Sequence, residues 1–142
     1  MYDKFFLERI ENLICYPGLD KFISYVYVIK GKRKSKDVYK IGKARKPEER
    51  MKDIQNNFLE SKLVLICKFP TAEDDQAKKL EYFLHRLFYN KRVEKQGSEK
   101  QYKKHNEWFF LWKKDLDLLL KIAKITENMN NRIKGRDRVL LL

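Results

Sequence analysis

Between residues 23 and 30 apolar side chains occupy successive positions rather than alternate ones. Tyr25, Tyr27 and Ile29 would share one face of a strand, and Val26 and Val28 the other. A strand apolar on both faces is predicted to be central, with cover on each side. A second run, Val38–Gly42, is predicted to pair antiparallel with it. The segment between them, Lys30–Lys36, has five basic residues in seven and reads as an exposed loop. Pro47 suits the first position of a helix, and Glu48 and Glu49 suit its positive first turn. Met51, Ile54 and Phe58 are the expected buried stripe of that helix, with Arg50 beside it.

Leu63–Phe69 reads as a third strand, ended by Pro70. Ala72–Asn90 carries the strongest helical period, with Ala77, Leu80, Leu84, Leu87 and Phe88 three and four residues apart. The aromatic segment EWFFLW, Glu107–Trp112, should dock on the core as a strand or turn, and a helix is expected from Lys113 to Ile133. Ahead of the first strand, Asp3 can cap a helix running to about Cys15, with Pro17–Gly18 as its stop. The sum is an α/β (α+β) fold: a small, mainly antiparallel three-stranded sheet flanked by helices, with extra N- and C-terminal helices. The expected division is a helical extension over 1–22, a central domain over 23–112, and a helix and tail over 113–142.

The Ala72–Asn90 helix contains one misfit. Glu81 projects between Ala77, Leu84 and Phe88, inside the apolar stripe, and His85 follows at its edge. A carboxylate removed from water needs a cation or strong donors. An internal ion pair with Arg50 or a lysine is one solution, and a metal ion is the other.

Charge narrows the partners. The 142 residues carry a formal net charge of +13, which favours a polyanion. Nucleic acid is the first expectation and an anionic membrane surface the second; a basic protein kept soluble by its charge has the same composition. The 30–36 loop could lie along phosphates or simply be solvated. Cys15 and Cys67 sit singly in apolar segments and read as core thiols of a reducing compartment. No signal peptide or membrane span is expected, so the chain reads as intracellular, cytoplasmic or nuclear.

The order YVYVI, then YKIGKA, then an arginine eight residues after the glycine, then LEYFLHRLF and EWFFLW, resembles the GIY-YIG nuclease superfamily. The last two motifs are similar to its phage and large-virus branch. The resemblance covers about residues 23–112. It aligns Tyr27 with the tyrosine of GIY, and Tyr25 with the glycine. Lys40, Ile41 and Gly42 align with YIG, with lysine in place of tyrosine. Arg50 aligns with the catalytic arginine and Glu81 with the metal-binding glutamate. Ile54 stands where some members have a histidine. His85 and Glu107 match accessory features of the viral branch.

The resemblance implies a divalent-metal-dependent endonuclease, using Mg²⁺ or Mn²⁺ and making one strand cut per active site, on DNA rather than RNA. Cutting both strands would then call for a homodimer, a second visit or a fused domain. Hydrolysis needs an activated water and stabilisation of charge on the phosphate and leaving oxygen. Glu81 would hold the ion, since Mg²⁺ keeps several waters and tolerates one carboxylate anchor. Arg50 would bind phosphate oxygens through its fork of donors. Tyr27 would be the base if a neighbouring cation lowers its pKa from about 10. Lys40 would be that cation, or the base itself. Lys30, Lys32, Arg33, Lys34, Lys36 and Lys43 would meet the nucleic-acid backbone. The departures at Lys40 and Ile54 keep two rivals open: a catalytically inactive nucleic-acid-binding module, and a basic viral protein-interaction factor.

Overall fold

The computed structural model describes residues 24–71, 73–93 and 107–140, with side chains of the last segment described to 126. The expected N-terminal helix, Cys15 and most of the polar 91–106 segment lie outside the described residues. The elements in order are β1 (Ser24–Arg33), β2 (Lys36–Ala44), α1 (Pro47–Asn57), β3 (Val64–Thr71), α2 (Asp74–Leu87), a 3₁₀ turn (Tyr89–Lys91), β4 (Trp108–Phe109) and α3 (Lys113–Leu140). The strands form one antiparallel sheet in the order β3-β1-β2-β4. Among the described residues the sheet therefore has four strands, not three. The fourth, two residues long, comes from the EWFFLW segment and pairs Tyr39 with Phe109 and Lys40 with Trp108.

β1 is central, as its two apolar faces require. On one face Val26 and Val28 join Tyr39, Ile41, Phe69 and Phe109 beneath Leu80 and Leu84 of α2 and Leu118, Leu119 and Ile122 of α3. On the other, Tyr27 and Ile29 pack with Val38, Phe58, Leu63, Val93 and Trp108, covered by Met51 and Ile54 of α1. Cys67 is a free thiol against the first cluster. Among the described residues no helix is long and apolar enough to cross a membrane.

The 30–36 segment is a correction. It is not a loop: β1 runs on to Arg33, β2 starts at Lys36, and only Lys34 and Ser35 turn, at φ 49° and 66°. Two consecutive left-handed residues make the tight hairpin turn whose twist suits antiparallel strands, here without the usual glycine or asparagine. Glu60 steadies the turn by accepting from the Lys34 N–H at 3.1 Å. Gln55 then fixes the α1–β3 connection. Its amide donates to the carbonyls of Phe58 and Ser61, and its oxygen accepts from the Leu63 N–H.

Candidate active site

Strand pairing places Tyr27 opposite Gly42 and Ile29 opposite Lys40. The Tyr27 ring lies directly over the bare backbone of Gly42. A Cβ at that glycine would stand 2.4 Å from the phenolic oxygen and 2.6 Å from Cζ. Glycine is needed here for close approach, with a role beyond permitting a turn. The ring is 1 % exposed, with its hydroxyl reached by the Arg50 guanidinium, a donor from the first turn of α1. Arg50 itself is exposed.

Lys40 extends from β2 on the same face and is mostly buried. Its Nζ lies 2.8 Å from Oε2 of Glu107, delivered just before β4. The backbone repeats this join, the Ile41 N–H donating to the Glu107 carbonyl at 3.0 Å. Nζ also lies 5.8 Å from the centre of the Trp108 ring. Trp108 and Phe109 are both core residues.

Glu81 enters from α2, half-buried at the margin of a stripe in which Ala77, Leu84 and Phe88 are buried. Burial first, then the charge of Glu107, pushes its carboxyl up to about 7, against the pull of Lys43 and Lys40. Among the described residues it makes no ion pair or hydrogen bond, because the nearby cations are engaged elsewhere. Lys40 pairs with Glu107, Lys43 pairs with Asp74 at 3.2 Å, and Arg50 serves Tyr27. The internal salt bridge that would have explained this glutamate does not form. The same charges reach Tyr27, whose hydroxyl is pushed up to about 12 by burial and by Glu107; the hydrogen bond from Arg50 only partly offsets this. The expectation that Lys40 lowers Tyr27 is therefore corrected: the ammonium is spent on Glu107.

His85, one turn beyond Glu81, donates from Nε2 to the Ile41 carbonyl at 2.7 Å, and its ring meets Phe109 edge-on. Since a carbonyl can only accept, the bond sets the tautomer. Burial lowers its pKa, which favours the neutral ring. Tyr27, Lys40, Arg50, Glu81, Glu107 and, behind them, His85 thus meet at one place from β1, β2, α1, α2 and β4. Tyr39 is on the opposite face, in the core.

The basic residues of the hairpin do not act as a set. Arg33 shares the Tyr27 face, its guanidinium 5.5 Å from the Phe58 ring and 5.6 Å from the Trp108 ring. Lys36 is opposite Arg33, with Nζ 6.0 Å from the Phe110 ring. Lys30 and Lys32 alternate to the other face, and Lys30 is 3.7 Å from Asp37. Lys34 is at the turn. Two features had not been read from the sequence. Glu107 is the partner of Lys40, and among the described residues Arg92 has its Nε buried without a hydrogen-bond partner. An acid leading directly into an aromatic strand was the available signal for the first.

A half-buried carboxylate, an exposed arginine and a pre-positioned hydroxyl on a strongly basic domain suit a protein that acts on a phosphate polymer. The family model of the T5orf172 domain matches residues 24–133, and the chain belongs to that family. The family is nuclease-like and of phage origin. No curated protein and no solved structure matches the chain.

Proposed function

We propose that the protein is a divalent-metal-dependent endonuclease of the GIY-YIG type, cutting one strand of DNA per active site. The observation that carries this reading is Glu81: a carboxylate held half out of water, beside a second carboxylate, with no cation of the protein assigned to it. Such a group has an energetic need for a cation. The donors suit a hard ion. Among the described residues no group of three or more His, Cys, Asp and Glu converges, and a single carboxylate with waters would suit Mg²⁺ or Mn²⁺.

Bound at Glu81, the ion would supply Lewis-acid polarisation of the phosphate and stabilisation of the leaving oxygen. The residues provide the rest. Arg50, exposed and in the first turn of its helix, binds the non-bridging oxygens and follows the charge that grows on them. Tyr27 would serve as base in its phenolate form, taking the proton of the attacking water and returning to the neutral phenol. Arg50 favours that phenolate before the transfer, and a cation held at Glu81 would offset one of the negative charges opposing it. Lys40, tied to Glu107, fits an assisting role rather than that of base. Gly42 seats the Tyr27 ring. His85 anchors α2 to β2 and so sets the height of Glu81. Lys30, Lys32, Arg33, Lys34, Lys36 and Lys43 are the proposed backbone contacts, and Arg33 and Lys36 are the pair on the face of the centre.

The high pKa of Tyr27 favours one rival, a nucleic-acid-binding module without turnover. Nicking of supercoiled plasmid in Mg²⁺ or Mn²⁺ separates the two. Wild type should nick, while Glu81→Ala should not, and Arg50→Ala should lose about 10²–10³-fold in rate at nearly unchanged affinity. Binding without metal-dependent cleavage on any DNA or RNA would establish the rival.

A further inference from the structure

The outer surface of α2, next to the centre, has its own pattern. Tyr82 lies on α2 and Tyr89 opens the 3₁₀ turn that follows it, and they are 61 % and 63 % exposed. Arg86 stands between them, donating to the Tyr82 hydroxyl at 3.0 Å with its guanidinium 5.7 Å from that ring. Arg92 lies 5.2 Å from the Tyr89 ring. The 3₁₀ turn carries the pattern on: Lys91 reaches over Trp112, whose ring centre is 4.4 Å from the Lys91 Nζ and 4.8 Å from that of Lys114. Trp112 is 61 % exposed, although tryptophan is among the residues most buried on average.

Large exposed aromatics cost solvation, and these three are each paired with a cation. Among the described residues Arg86, Arg92 and Lys114 have no acidic partner within ion-pair distance, while Lys91 is held by the buried Asp115. On the 100° helical wheel Tyr82 follows His85 away from Glu81, so the pattern begins at the rim of the centre. A duplex offers phosphates to such a surface but no base faces. An unpaired strand offers both, and it is bound by interleaved aromatics and cations.

We propose that Tyr82, Tyr89 and Trp112, with their arginines and lysines, form a ledge that holds an unpaired stretch of the nucleic-acid strand beside the site of cleavage. The substrate class that follows is nucleic acid with a single-stranded or locally melted segment flanking the cut. This rests on the nucleic-acid reading of the centre, yet it concerns binding and can be tested without turnover.

The test is fluorescence anisotropy in EDTA with a labelled single-stranded oligonucleotide and a hairpin duplex of equal length. Wild type should bind the single strand more tightly. Tyr82→Ala, Tyr89→Ala and Trp112→Ala should each weaken it at least about fivefold while changing duplex affinity less than about twofold. Thermal melts of these surface variants should match wild type. Trp112 also reports directly, because Trp108 is buried: single-stranded oligonucleotide should quench the emission, and Trp112→Phe should remove that response. Equal losses on both probes, or no quenching at saturation, would overturn the ledge. If the ledge variants behave as stated but no protein nicks plasmid, the ledge stands and the nuclease reading falls. If wild type nicks and the ledge variants bind normally, the reverse holds.

Discussion

The two faces of β1 use the same kind of residue for different ends. Val26 and Val28 face a mainly apolar cluster closed by α2 and α3. Tyr27 and Ile29 face a smaller cluster under α1 that is apolar only on the hairpin side. At its other end stand Lys40, Glu107, Arg50 and Glu81. One face spends its burial on stability. The other uses it to hold polar groups in an environment that raises both Tyr27 and Glu81. Function in this fold therefore depends on how far one small helix leaves the sheet uncovered.

The comparison is broken most severely from the closed face. Leu80→Ala, at a fully buried position, should cost about 2–5 kcal/mol in chemical denaturation. Below the melting transition the variant should still bind nucleic acid like wild type. A selective loss of binding would mean that the two faces are coupled.

The next effect is on the open face. Gly42→Ala puts a methyl group where the Tyr27 ring lies. The ring must move, at a cost of about 1–3 kcal/mol typical of overpacking. Nicking should fall much further than stability. Unchanged turnover would remove Tyr27 from the mechanism.

The smallest effect sharpens the electrostatic side. Glu81 titrates near 7 when folded, above its ordinary 4.5, so the folded state holds its proton more tightly. That contribution is complete below pH 4.5 and is lost as pH rises through about 7. Glu81→Gln should be more stable than wild type at pH 8, by about 1 kcal/mol once solvent screening of a half-exposed group is allowed for. The difference should close towards pH 5. Manganese should raise the melting temperature of wild type at pH 8 and leave Glu81→Gln unmoved. A Glu81→Gln variant less stable at pH 8 would show that Glu81 has a protein partner.

What could be read beforehand followed from periodicity. The central position of β1 showed in its two apolar faces, and the start of α1 in Pro47–Glu49. Glu81 stood out because helical spacing forces it among Ala77, Leu84 and Phe88. The misses have equally physical causes. Lys34 and Ser35 adopt left-handed backbone without being glycine or asparagine, so a tight turn looked like a basic loop. β4 is too short to show an alternation. The coupling of Lys40 to Glu107 depends on two residues far apart in the chain, and the acid ahead of the aromatic strand does not by itself name its partner. With that coupling unseen, the sign of the Tyr27 shift was unreadable too.

The late position of β4 has a consequence for synthesis. Domains are built from the N-terminus onward, and contacts between distant parts of a chain form late. The hairpin, with its lysines, leaves the ribosome long before Glu107 can meet Lys40. A nascent chain would therefore display these lysines while Lys40 still lacks its acidic partner.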